Sequence, residues 1–307
     1  MTTPILIDCD PGHDDAIAIL LALASPELDV RGITTVAGNQ TVEKTTRNAL
    51  KILELAGRTD VPVAAGADRP LVRELHTAPH VHGVTGLDGP ELPEPTTPVV
   101  EQDVADFLAE RIEPGLALVP VGPLTNVARL LERHPDVAQR LERIVWMGGA
   151  IAEGNITPAA EFNSFVDPES AARVFASGID LTMVGLDVTH KALLERDRVE
   201  RVRGAGRVGR AVAELYDFYH RFHAERYGFE GSPIHDALAV AATADPTLLE
   251  TLHTNVEIET ASQWCDGRTV VDRWRATDRP ANCHVAIDVD AERFLELLVE
   301  RITSLDR

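Results

Sequence analysis

Lysine is nearly absent from this chain. Only Lys44, Lys51 and Lys191 occur in 307 residues, and every other basic residue except histidine is an arginine. Lysine and arginine together number 29 against 49 aspartates and glutamates, a formal net charge of −20. A chain this acidic repels phosphate backbones, so nucleic acid is not expected as a partner. A lysine-poor, acidic surface also predicts salt tolerance, readable as a melting temperature that holds or rises in molar salt. Cysteine is scarce as well. Cys9, Cys265 and Cys283 are odd in number and have no paired spacing, so a reduced, cytoplasmic protein is expected. The longest apolar run is about nine residues, too short to span a bilayer, and no membrane association is expected. The opening MTTPILIDCD has no basic region followed by a long apolar stretch, so no secretory signal is expected. No internal repeat, low-complexity segment or linker stands out, and residues 1–307 are expected to form a single domain. A chain of this size can bury roughly 75% of its unfolded surface.

What is present begins with DCDPGHDDA at residues 8–16. Asp8, Asp10, Asp14 and Asp15 put four carboxylates within eight residues. An apolar strand precedes them, Pro11-Gly12 makes a turn, and residues 16–24 (AIAILLALA) read as a buried helix. One or two acids at a helix start are ordinary capping. Four are not explained that way, because like charges this close raise one another's pKa. A cation between them removes the repulsion, and oxygen-only ligands select a hard ion such as Ca²⁺, which accepts six to eight.

Further along, strand and helix patterns alternate. Strands are expected at 30–36, 61–65, 116–121, 143–147 and 180–186, and helices at 41–56, 101–112, from 124 onward, and at 168–177. Residues 68–98 hold six prolines and three glycines with no period, which marks a functional loop. Residues 197–227 read as helical and charged, 235–244 and 291–304 as helices, and 256–259 with 269–274 as a hairpin around Asp266-Gly267. The expected fold is α/β: a single open, mainly parallel (mixed) sheet flanked by helices, Rossmann-like. Ligands of such sheets sit beyond the carboxyl ends of the strands. Asp8, Asp10, Asn39, Val121-Gly122, Gly148-Gly149 and Asp187 all fall at those ends.

Some patterns carry less than their letters suggest. Gly204-Ala-Gly-Arg-Val-Gly209 spells a dinucleotide motif but follows an arginine-rich helical stretch instead of a strand, so it reads as a loop between helices. His76, His80 and His82 are separated by Pro79 and have no cysteine or acid to complete a zinc set. The remaining polar clusters stay open between two readings. Asn155 and Glu161-Phe162-Asn163 are loop formers or ligand contacts. Asp236 is a helix cap or a ligand. His82 is a mobile surface histidine or a functional one. Tyr219, His223 and Tyr227 recur every four residues on one helix face, as a core stripe or as one wall of a site.

The residues now carry a resemblance. DCDPGHDDA resembles the N-terminal fingerprint of the nucleoside hydrolases, the inosine–uridine-preferring family. ITTVAGNQ (33–40), HGVTGLDGP (82–90), LVPVGPLTN (118–126), WMGGA (146–150), EGNITPAAEFN (153–163), MVGLDVTH (183–190) and PIHDA (233–237) resemble further family segments in family order. His13, TGLDGP and His235 are similar to the pyrimidine- and inosine–uridine-acting branches. The resemblance implies calcium held by Asp10, Asp15, Asp236 and the Val121 carbonyl, with Asp14, Asn39, Asn155, Glu161 and Asn163 around the ribose and Phe162 along sugar or base. It implies hydrolysis of the N-ribosidic bond of uridine, cytidine or inosine in nucleoside salvage. Asp10 would take the proton of the attacking water, and His235 would protonate the leaving base, with His82 nearby. His223 and Tyr227 stay open between base contact and proton donation. A homodimer or homotetramer is also implied.

Two other readings compete. A haloacid dehalogenase-type phosphatase would use Asp8-Cys9-Asp10 after a strand, but Pro11-Gly12 departs from that motif and no lysine sits where it would bind phosphate. A non-catalytic calcium- or ribonucleoside-binding protein would keep the same fold.

Overall fold

The computed structural model describes residues 2–306. The strands in chain order are β1 (Thr3–Cys9), β2 (Leu28–Thr35), β3 (Val63–Ala65), β4 (Ala117–Pro120), β5 (Arg143–Met147), β6 (Leu181–Val184), β7 (Leu193–Leu194), β8 (Ser232–Pro233), β9 (Leu249–Thr254), β10 (Val256–Ile258), β11 (Thr269–Val271) and β12 (Cys283–Val289). The helices are α1 (His13–Ala24), α2 (Val42–Leu55), α3 (Pro79–His82), α4 (Val104–Arg111), α5 (Thr125–Arg133), α6 (Phe162–Val166), α7 (Pro168–Phe175), α8 (Leu186–Thr189), α9 (Arg196–Arg203), α10 (Arg207–Tyr227), α11 (His235–Ala244) and α12 (Ala291–Ser304). No helix among the described residues is long and apolar enough to cross a membrane.

Eight strands form one sheet in the order β3-β2-β1-β4-β5-β6-β12-β9. Every neighbouring pair is parallel except β9 against β12. The first six strands follow the doubly wound order: successive strands are added to one side of β1 and then, from β4 on, to the other, and the change between β1 and β4 opens a crevice there. β1 is buried from Ile5 to Cys9, as a central strand covered on both faces must be. α1 is apolar nearly all round and packs against α2, α11 and α12, which explains its unbroken run of buried residues. The other face of the sheet carries α4, α5 and α7 around Phe107, Trp146 and Phe175.

The structure refines the sequence reading. The 197–227 stretch is two helices, and the turn between Arg203 and Arg207 lies in the glycine motif read as a loop. β9 had no counterpart; it is an antiparallel edge strand that begins right after the Pro246–Leu248 turn. The 68–98 segment is irregular apart from the single turn of α3. That loop is fastened down. Asn48 Nδ2 donates to the Pro11 and Thr85 carbonyls at 2.9 Å, Gln40 Nε2 to Gly83 O at 2.9 Å, and Arg73 binds the Glu169 carboxylate at 2.8 Å.

Candidate active site

β-ladder hydrogen bonds bring the strand ends level. Val36 N–H donates to Cys9 O at 2.9 Å and Val121 N–H to Asp8 O at 2.8 Å, so the chain leaves β2 and β4 on either side of Asp10. Asp10 is fully buried and accepts the Asn39 backbone N–H at 2.6 Å on Oδ2. Its Oδ1 is buried with no hydrogen-bond partner. Asp15 accepts the N–H groups of Asp10 (3.0 Å) and Gly12 (2.9 Å), and the Asn39 side-chain amide at 3.1 Å. Asp15 therefore does cap α1, and it also reaches the other acids. Asp236 stands in the first turn of α11, buried close to Asp14 and Asp15. One oxygen each of Asp14, Asp15 and Asp236 lie within 4.8 Å of one another.

Four acids packed this way resist ionisation. Burial first, and then their mutual repulsion, raises Asp10 and Asp236 well above the usual carboxylate range and Asp14 to about 8. Burial also raises Asp15, against the hydrogen bonds it accepts. Among the described residues, none of the leading influences on these four acids is a basic side chain. An orphaned buried carboxylate oxygen and an all-oxygen donor set without a compensating cation fit a hard divalent ion. Asp8, the fourth acid of the opening motif, turns elsewhere. Its Oδ1 accepts Thr34 Oγ1 at 2.6 Å and Asn126 Nδ2 at 2.7 Å, under the strand ends, and burial raises its pKa to about 7.

These shifts have a consequence for stability. A carboxyl raised in the folded state binds a proton that the unfolded chain has already released between pH 4 and 8, so stability falls as pH rises through that window. For chelator-treated protein the melting temperature is expected to drop from pH 5 to pH 8. Added Ca²⁺, which favours the ionised carboxylates, should restore far more at pH 8 than at pH 5. A calorimetric scan with and without calcium measures it; equal recovery at both pH values would contradict a cation held by these groups.

Gly38 and Gly122 make room for Asp10. A Cβ on Gly38 would lie 2.2 Å from Asp10 Oδ2, and one on Gly122 would lie 2.6 Å from Oδ1. We expect Gly122→Ala to cost about 1–3 kcal/mol of stability through overpacking and to lower turnover at least roughly 100-fold, since small displacements of a reacting group have that effect. Unfolding and initial-rate assays on the same preparation test both.

A cavity opens over this cluster. Asp14, Asn39, Val121, Glu161, Asn163 and Asp236 line its acidic end. Glu161 is fixed by the N–H groups of Gly149 (2.8 Å), Asn163 (2.8 Å) and Ser164 (3.1 Å), and burial raises its pKa to about 7 in spite of them. Asn163 Nδ2 donates to Val121 O at 3.0 Å and Met147 O at 3.1 Å, tying α6 to the ends of β4 and β5. Asn155 Oδ1 accepts the Phe162 N–H at 2.9 Å and holds that ring's loop.

The other end is walled by imidazoles and aromatic rings, with His82, His223, Tyr227 and His235 all on the lining. The Tyr219 hydroxyl donates to Asp14 Oδ2 at 3.3 Å and its ring packs on His82 and His223, so the helix face read from α10 does turn to the cavity. His235 Nδ1 lies 2.7 Å from Thr189 Oγ1. Burial lowers the pKa of His82 and His235 well below 6.5. His82 is buried, not mobile, and its Nδ1 accepts the His13 backbone N–H at 3.2 Å. His13 Nε2 faces the Asp88 carbonyl at 2.8 Å and so carries that ring's proton, which leaves the 3.2 Å approach of the two Nδ1 atoms without a hydrogen in the neutral forms.

Sequence reasoning did not single out His190, Phe222 and His80 for this lining. His190 ends the MVGLDVTH segment, and Phe222 is three residues from Tyr219 on the same helix; both were adjacent to signals already noted. His80, set aside as a zinc ligand, tips edge-on to Phe222 at 5.7 Å.

Residues 5–296 match the family model described as inosine-uridine preferring nucleoside hydrolase. The chain is 51% identical to the pyrimidine-specific ribonucleoside hydrolase RihA of Photobacterium profundum, over 99% of this chain and 100% of the relative. Among solved structures it resembles a plant nucleoside hydrolase, with a TM-score of 0.93 at 34% identity over 99% of this chain and 100% of the other. A purine-preferring ribonucleoside hydrolase from Gardnerella vaginalis matches with the same TM-score of 0.93, also at 34% identity, over 99% of both chains.

Proposed function

The chain belongs to the inosine–uridine preferring nucleoside hydrolase family, and from that premise we propose that it is a calcium-dependent ribonucleoside hydrolase that prefers pyrimidine nucleosides. The observation that carries the reading is one cavity with clustered carboxylates at one end and an imidazole and aromatic wall at the other. The preference for uridine and cytidine rests on the 51% identity to a relative named for pyrimidine nucleosides, against 34% to one named for purines.

Asp10, Asp15, Asp236 and the Val121 carbonyl would hold the ion, with Asp14 beside them. When bound, the ion would lower the pKa of a coordinated water and grip the ribose 2′- and 3′-hydroxyls. Asp10 takes the proton of the attacking water with its otherwise unpartnered Oδ1. Breaking the N-ribosidic bond builds positive charge on the ribose, and Asp14 and Glu161 oppose it at close range. Asn39, Asn155 and Asn163 orient the sugar, and Phe162 covers it. His235 gives a proton to the departing base, and His82 closes the cavity beside it. The irregular 68–98 segment excludes water by being fastened over the site. Free cysteines at Cys9, Cys265 and Cys283 agree with a reducing, cytoplasmic setting; a role in nucleoside salvage is proposed on the family resemblance. A homodimer or homotetramer is proposed on the family resemblance, with light scattering as its measurement.

A turnover panel of uridine, cytidine, inosine and adenosine, assayed for reducing sugar, tests the reading. Ribose release fastest from uridine and cytidine, lost on chelation and regained with Ca²⁺, is the expected result. Nucleoside binding with no ribose release would overturn it and favour a binding protein.

A further inference from the structure

The fold leaves few large apolar side chains bare. Among the described residues they are Val72, Val84, Trp264, Val270 and Trp274. Three of the five lie on or beside the β10–β11 hairpin, and they include two of the chain's three tryptophans. Trp264 is 79% exposed and Trp274 85%. Strand pairing sets Val256 opposite Val271, Glu257 opposite Val270 and Ile258 opposite Thr269. Opposed residues share a face and successive ones alternate. Val256, Ile258, Thr269 and Val271 therefore turn inward to the core, and Glu257 and Val270 turn outward. Trp264 stands in the loop before β11, and Trp274 in the turn after it.

The inner face is anchored. Thr269 Oγ1 accepts the Ala150 N–H at 2.9 Å and donates to Ala150 O at 2.6 Å. Arg73 Nη2 donates to Thr260 O at 2.9 Å, and the same guanidinium pairs with Asp266. A Cβ on Gly267 would lie 2.6 Å from Phe165 Cα, so the loop rests on α6. A hairpin held this firmly keeps its tryptophans on the outside.

Charge decides what can cover them. Residues 264–279 hold four arginines and three aspartates, a net charge of +1 in a chain of −20. Arg273, Arg275 and Arg279 are exposed, as are Asp278 and Glu257. The Arg273 guanidinium stands 5.7 Å from the centre of the Trp274 ring. Two copies meeting through their acidic remainder would repel. On this face both signs are interspersed, so turning it about a two-fold axis can set arginine against acid. Tryptophan and arginine are also the side chains that dominate the centres of protein interfaces. A covered tryptophan buries about 150–250 Å². Allowing for their exposure, four of them across a two-fold axis supply roughly 500–800 Å² of the about 1,200–2,000 Å² that a stable interface needs.

We infer that the outer face of the β10–β11 hairpin, centred on Trp264, Val270 and Trp274, docks on the same face of a second copy of this chain. The inference gives the homodimer or homotetramer proposed above its contact face, and it does not depend on the hydrolase chemistry.

Light scattering on the full chain tests it, with the wild type beside a variant carrying both Trp264→Ser and Trp274→Ser. The wild type should be a dimer or a tetramer, and the double variant should have half its mass at the same concentration. A second variant, Arg273→Glu with Arg275→Glu, adds like charge to the face and should also halve the mass while keeping all three tryptophans. Trp146 is buried within the chain. Acrylamide should therefore quench the wild type weakly and the arginine variant strongly, as two of its three tryptophans become accessible. Should the serine variant lose its cooperative melting transition, the arginine variant carries the mass test alone. A monomeric wild type would overturn the inference and leave the hairpin to a different partner. An oligomer whose mass no folded variant changes, or a wild type as readily quenched as the arginine variant, would overturn it too. Absence of ribose release would remove the enzyme reading without altering these masses.

Discussion

Asp10→Ala is expected to abolish turnover while leaving a folded protein. A positioned proton-transfer group contributes up to about 10⁴-fold, and Asp10 would also be a metal ligand, so the loss should reach at least that figure. The same substitution removes one of four mutually repelling buried acids. In chelator the variant should therefore melt no lower than the wild type. With calcium added, it should gain less than the wild type does. This opposite movement of activity and metal-free stability separates loss of the site from loss of the fold. A variant that still hydrolyses uridine within tenfold of the wild type would remove Asp10 from the chemistry.

His235→Ala should divide substrates by their leaving groups. On uridine, kcat should fall roughly 10²- to 10⁴-fold, on the order of 3 to 5 kcal/mol of barrier. A nitrophenyl riboside, whose leaving group departs without a proton, should be hydrolysed nearly as fast as by the wild type. Burial, with the charges of His190, His223 and His82 adding to it, disfavours an imidazolium at residue 235. The charged form is then a strong acid that is sparsely populated at neutral pH. Wild-type kcat on uridine should accordingly rise as pH falls through 6.5 and below, and the rise should be missing on the activated substrate. Equal loss on both substrates, or a flat profile on uridine, would remove the proton-donor role.

The fold was legible wherever burial wrote itself into local pattern. Arg143–Met147, His235–Ala244 and Ala291–Ser304 were read with the bounds they have, because each is a strongly apolar or amphipathic run between clear stops. Leu249–Thr254 escaped notice because an edge strand needs only one partner and alternates with exposed glutamate and histidine. The four acids of DCDPGHDDA pointed to a cation, but the pattern could not say that Asp8 would turn to Thr34 and Asn126. Strand alternation and the packing of a second strand decide that. Val121 is proposed to act through its backbone carbonyl, which no side-chain pattern can reveal; the family resemblance supplied it. His190 and Phe222 reach the cavity through the placement of α8 and α10, which is tertiary information. The face of α10 was visible as a four-residue recurrence, but whether it faced core or cavity was not.

Asp15 and Asp236 stand on neighbouring helices, α1 and α11, yet roughly 220 residues of chain separate them. An ion bridging the two would work as a late rivet between the beginning and the end of the polypeptide. During synthesis the first acids emerge early and wait, unable to complete the set until nearly the whole sheet has been made. Hydrolysis that depends on such an ion could not start on a partial chain, and a protein cut anywhere before residue 236 is expected to bind calcium no better than an unstructured acidic peptide.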